Sequence, residues 1–177
     1  MFFYGVSFGS LSASMLLIQY FNKLYRSASW VSFLPMFFNL VIPALGVYLF
    51  VKGLMLAKLD KPITMGKALF LSLTMSLIMG LCNIAAYQHI YHNKKDIISD
   101  WSSLQYTAIE KKISGDVNIA KENKAKEIQK MKENFDLQIS PSSFGSFELM
   151  MCISTGMVVA LLVFVWNYKH LTIPHLQ

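Results

Sequence analysis

The chain alternates between long apolar runs and short polar links, with one exception. Four runs reach the roughly 20 mainly apolar residues that an α-helix needs to cross about 30 Å of hydrocarbon at 1.5 Å rise per residue. They are Phe2–Phe21, Trp30–Val51, Ala68–Tyr87 (continuing into QHIYH) and Phe147–Trp166. The first run lacks a basic start and exceeds a signal h-region, so it reads as a retained span. The second carries Pro35 and Pro43, which a membrane helix tolerates at the expense of a kink. Trp30, Tyr87, Tyr91, Trp166 and Tyr168 fall at the ends of the runs, where an aromatic belt meets the headgroups.

The links Asn22–Ser29 and Lys52–Lys67 are short, so sequential spans are predicted to run antiparallel. The third link is about 55 residues, too long to stay structureless in a compact chain. Its pattern predicts two helices. Ile98, Trp101, Leu104, Ala108, Ile109 and Ile113 form one stripe, stopped by Ser114-Gly115-Asp116. Ala125, Ile128, Met131, Phe135 and Ile139 form a second, ended by Ser140-Pro141. Ile128, Met131 and Phe135 are the expected packing residues of a hairpin that leaves the bilayer and returns. Lys124 interrupts the second stripe, so a solvated single helix stays open as the alternative.

The predicted organisation is therefore all-α. Residues 1–91 hold three transmembrane helices, 92–142 a water-exposed charged hairpin, and 143–177 the fourth helix with a short tail. Composition sharpens this picture. Of 177 residues, 54% are hydrophobic and only 15% charged. Nine Lys and nine acids lie between Lys94 and Glu148, which leaves Asp60 as the single acid elsewhere. That partition is the mark of a polytopic membrane protein contacting the lipid bilayer. The net charge of +6 is no nucleic-acid signal, because the positives end apolar runs or are balanced by acids. Cys82 and Cys152 lie within apolar runs without metal-type spacing, two small buried hydrophobes by type.

Four spans place both termini on one side, with Lys52, Lys58, Lys61, Lys67 and Lys169. Lys23, Arg26, Lys94 and Lys95 flank spans on the other. Charges near span ends set topology, so the balance leans to cytoplasmic termini and an external hairpin.

The stretch KPITMGKALFLSLTMSLIMGLCNIAAYQHIY (61–91) resembles a bacterial family of four-span proteins, domain-of-unknown-function family 4199. Ile63, Thr64, Met65, Gly66 and Ala68 match its I-[ST]-[FM]-G-x-[AG] entry to the third span, and Ser140-Pro141 matches its step into the last. The amino terminus departs from the family, whose members usually begin with lysines, and NKKD replaces an acidic-Pro step. The resemblance implies the fold and an inner-membrane address. Genes of similar proteins often neighbour one for a glycosyltransferase acting on polyprenyl-phosphate lipids, which makes such an enzyme the implied partner.

The spans are nearly free of ionisable groups, which disfavours a proton-coupled carrier. Glu148, one residue into the fourth run, is expected at the headgroups. Gly5, Gly9 and Ala13 form one small-residue ladder and Ser72, Ser76 and Gly80 another, both suited to close helix packing. Asn39 and Asn83 lie about eight to nine residues from the same face, so a hydrogen bond between the second and third spans is expected. His89 and His92 share a helical face, but two ligands do not close a zinc site. No nucleophile elbow, phosphate loop or zincin motif occurs, and no cofactor is expected. Three functions follow: a non-catalytic accessory or anchor subunit of an envelope complex; a small oligomeric channel or carrier for a neutral or lipid-like substrate; and an enzyme, only if His89, His92 and Glu148 converge.

Overall fold

A computed structural model describes residues 1–26, 34–56 and 63–171, with side chains at 1–26, 37–56 and 63–166. All regular structure among the described residues is helical. Helix α1 covers Phe2–Phe21, followed by a 3₁₀ turn at Leu24–Arg26. Then come α2 (Leu34–Leu56), α3 (Met65–Asn93), α4 (Lys95–Gly115), α5 (Lys121–Ile139) and α6 (Pro141–Leu171). Helices α1, α2, α3 and α6 are long and apolar enough to span a membrane. In hydrocarbon a helix is the one open-ended structure that satisfies its own backbone.

Helices α2 and α6 run on past their apolar runs, to Leu56 and Leu171, and α3 and α6 start ahead of theirs, for reasons that lie at their first residues. Thr64 caps α3, its Oγ1 accepting from the Lys67 N–H at 3.3 Å, so the helix starts before the apolar run. Helix α6 starts at Pro141, six residues before the predicted Phe147. Proline suits the first helical position because its missing N–H would be unsatisfied there anyway. The second run's Trp30 and the side chain of Pro35, like that of Tyr168, lie outside what is described; Pro43 is inside α2.

The four spans surround a core of Val47, Val51, Met75, Met79 and Ala160. Their register is set by small residues. On α1, Gly5 lies against Ile78, and Gly9 against Met79 and Cys82, so α1 and α3 run parallel. Gly80 meets Leu149 and Gly156 meets Ser76, so α6 runs antiparallel to α3. A Cβ on Gly156 would stand 1.9 Å from Ser76 Oγ, closer than any side chain allows. Ala13, Ser72 and Ser76 are buried in these seams. Without a hydrophobic driving force between helices in lipid, such close backbone approach is a main source of cohesion. The outer faces expose Phe2, Phe3, Phe70, Leu81, Met150, Leu162 and Trp166, the surface a bilayer would cover.

Helices α4 and α5 pair as a hairpin, so the single-helix alternative falls. Phe135 meets the edges of Trp101 at 5.4 Å and Tyr106 at 6.0 Å between ring centres. Lys132 pairs with Glu110 at 2.5 Å, and Tyr106 bonds Asp136. Lys124, which breaks the stripe, donates to the Ser114 carbonyl at 2.7 Å and so ties the turn. Ile128 and Met131 are half-buried. The inward line of α4 differs from the prediction: it follows Ile97, Trp101, Ile109 and Ile113, while Leu104 and Ala108 are exposed. Steps of four drift by about 40° each, so this line winds slowly round α4; Leu104 lies about 100° from its middle and Ala108 about 60°. Ala125 is likewise exposed on α5.

The hairpin stands on an aromatic foot. Tyr20 contacts Trp101 edge-on at 5.6 Å, and Tyr87 stacks on Phe144 at 3.8 Å. Tyr87 is thus core, 1% exposed, rather than part of the interfacial belt. Its hydroxyl donates to the Ile139 carbonyl at the end of α5, a bond that needs the ring turned inward.

Candidate functional site

A chain of polar side chains crosses the bundle where four apolar helices would be expected to meet without one. Ser12 Oγ donates to Asn39 Oδ1 at 3.2 Å and accepts from Asn83 Nδ2 at 3.0 Å. The same Asn83 amide donates to Glu148 Oε1 at 2.5 Å, and the Cys152 thiol donates to that oxygen at 3.7 Å. One residue each from α1, α2 and α3 and two from α6 are joined. Ser12 and Asn83 are fully buried.

Two sequence expectations are corrected here. Asn39 and Asn83 do lie at one level, but Ser12 bridges them because α1 runs between the faces they present. Glu148, expected at the headgroups, is turned into the bundle. With α6 beginning at Pro141 it lies about two turns into the helix, and it is 7% exposed. The apolar run starts at Phe147, but the helix starts six residues earlier, at Pro141.

Around this carboxyl, α2 and α6 part to leave a groove of about 450 Å³. Phe37, Leu40, Phe144, Phe147 and Met151 form its apolar walls, and Asn39, Glu148, Cys152 and Thr155 its polar ones. Pro43 also lines it. Lacking an N–H, Pro43 leaves the Asn39 backbone carbonyl, four residues earlier, without its helical donor. Further along, Gly156 brings α6 within contact of Val47 and closes the seam. Phe37 and Phe147 are 58% exposed, so the groove opens sideways.

No basic side chain answers the carboxyl among the described residues. The ion pairs there are Arg26–Asp100 and Lys132–Glu110, both in the water-side region. Lys52, the cation of α2, turns to the Tyr48 hydroxyl at 3.2 Å, well past Pro43 along the helix. Asn83 Oδ1 is buried without a partner. A buried charge without a counter-charge is costly, as is an unmet polar atom.

The hairpin foot is the second polar centre. Tyr25 and Arg26 both donate to the Asp100 carboxylate, Tyr25 at 2.8 Å and Arg26 through two nitrogens. Hydrogen bonds from Arg26 and then Tyr25 hold the Asp100 carboxyl down at about 2. Burial, then the bond to Asp100, pushes the Tyr25 hydroxyl up to about 12.

The remaining candidates stay apart. His89 and His92 are exposed; His89 Nδ1 meets the Asn93 amide at 3.3 Å and His92 lies against Tyr91. Neither imidazole is a partner of Glu148, so the triad considered for an enzyme is not assembled. Among the described residues no three His, Cys, Asp or Glu side chains gather as metal ligands. Cys82 abuts Gly9, away from Cys152. Sequence reasoning missed Ser12 and the role of Glu148. The depth argument applied to the asparagines would have found Ser12, which is level with them on α1. No family model, curated protein or solved structure matches this chain.

Proposed function

We propose that this integral membrane protein is a non-catalytic accessory or anchor subunit of a bacterial envelope complex. The observation that carries the reading is the braced hairpin: two charged helices held off the bundle by the Tyr20–Trp101 contact and the Arg26–Asp100 pair. A rigid arm presents a fixed surface, and fixing a surface beforehand lowers the ordering cost of docking. Its outer side exposes Leu104, Val117 and Leu137 among lysines and glutamates. The address is the inner membrane with cytoplasmic termini, and the partner a glycosyltransferase acting on polyprenyl-phosphate lipids; both rest on the resemblance and the lysine balance.

Affinity purification of the full chain from native membranes in mild detergent tests the reading. A stoichiometric envelope protein that is lost with Leu137→Glu is expected. Recovery of the chain alone, from membranes where it is abundant, would refute it. Thiol labelling of an Asn123→Cys variant from the outside of intact cells checks the orientation.

The carrier reading is less well supported. Val47, Val51, Met75 and Met79 fill the middle of the bundle, where a polar passage through one copy would have to run.

A further inference from the structure

The α2–α6 groove has a composition that the anchoring role does not use. It combines a carboxyl that is 7% exposed, three phenyl rings and no basic group. Glu148 spends Oε1 on Asn83 and Cys152, while Oε2 has no protein partner among the described residues. Beside it, Asn39 and Pro43 line the opposite wall, and Pro43 offers the Asn39 carbonyl no helical donor. The rings of Phe37, Phe144 and Phe147 add negative π-faces, and the side-facing mouth opens where lipid would lie.

Acceptors and aromatic faces without donors of positive charge select one kind of guest. We propose that the groove binds an amphiphile bearing an ammonium group, drawn sideways from the bilayer. The ammonium meets Glu148 Oε2 and the phenyl faces, and the apolar body lies on Leu40 and Met151. A cation there supplies the counter-charge that the fold omits, and a hydrocarbon body fills a volume suited to small amphiphiles. Anions are rejected by the same carboxyl. Neutral alcohols gain only the apolar contacts. The ammonium can belong to a lipid headgroup or to a free amphiphilic amine, since both present the same chemistry. The site stands independently of any protein partner.

The test uses full-length protein in a nonionic maltoside detergent, titrated with hexyltrimethylammonium, hexanoate and hexanol and read by calorimetry. The ammonium should bind at least about tenfold more tightly than either comparator. Glu148→Gln should remove that preference while leaving hexanol unchanged. Should this variant misfold by circular dichroism, Leu40→Trp decides the matter: it fills the mouth, leaves the polar chain intact, and should abolish ammonium binding. Equal binding of the three probes, or wild-type affinity in folded Glu148→Gln or Leu40→Trp, overturns the proposal. Native mass spectrometry from nanodiscs of equal phosphatidylethanolamine and phosphatidylglycerol separates the sources. Retained phosphatidylethanolamine displaced by the probe assigns a headgroup amine. Probe binding without retained lipid assigns a free amine.

Discussion

The Asn83 amide donates to the Glu148 carboxyl at 2.5 Å across the α3–α6 seam, with both side chains buried. The same amide also serves Ser12, so one side chain supports the polar contacts of three helices. Asn83→Leu should therefore destabilise the bundle by about 2–3 kcal/mol, because it leaves a buried carboxyl and a hydroxyl short of a donor. Asn83→Leu combined with Glu148→Leu should recover part of that loss, since removing both partners is milder than removing one. Detergent-induced unfolding followed by circular dichroism measures both. Strict additivity of the two substitutions would show that the bond contributes nothing.

Among the glycines, Gly156 leaves the least room for a side chain, because Ser76 faces it across the α3–α6 seam. Gly156→Ala should cost about 1–3 kcal/mol, because the new methyl overlaps the Ser76 side chain and α6 must move away. Ser76→Gly in the same chain should restore most of the stability. Thermal melting of the three proteins measures this; alanine is the better helix former, so a lower melting temperature in Gly156→Ala reports the clash.

The hairpin foot should respond to pH at two extremes. Asp100 titrates in the folded state at about 2, against an ordinary 3.8, so its contribution is complete above 3.8 and fades as pH falls towards 2. Tyr25 moves the other way, from 10.0 to about 12, so its contribution is complete below 10 and fades as pH rises to 12. Protection of the amides at the base of α4, taken relative to their intrinsic exchange at each pH, should be constant across neutral pH and fall in both windows. Asp100→Asn should flatten the acid limb.

Phe135 is the hinge pin between α4 and α5, touching both Trp101 and Tyr106. Phe135→Ala should weaken the hairpin by about 1–3 kcal/mol, less than a fully buried ring would cost. Limited trypsin digestion should then cut faster at Lys126 and Lys130 while the four spans keep their helical signal. Unchanged digestion would mean that the Lys132–Glu110 pair and the Tyr106–Asp136 bond hold the arms together without the ring.

Much of the fold was legible because the bilayer constrains it so strongly. Run length alone predicts four spans, and the Phe2–Phe21 boundaries agree to the residue. The lysine–glutamate block predicts an excursion into water. Glycine at 115 and proline at 141 mark where helices stop and start. Rotational register is harder to read. Tyr87 has the composition of a belt residue and Leu104 that of a core residue, and each points the other way. In a helix that is apolar nearly all round, hydrophobicity carries little information about which face turns inward.

By itself the sequence determined what kind of solvent each segment must occupy, because transfer free energies are set by residue type and length. It also named the small residues on which helices could close. Only the tertiary structure decided that Ser12, Asn39, Asn83, Glu148 and Cys152 form one connected chain. Those contacts join positions up to 71 residues apart (Ser12 and Asn83) and depend on how four helices rotate about their axes. Rotation follows from packing between helices, where a Gly156 without a side chain lets α6 settle and turns Glu148 inward.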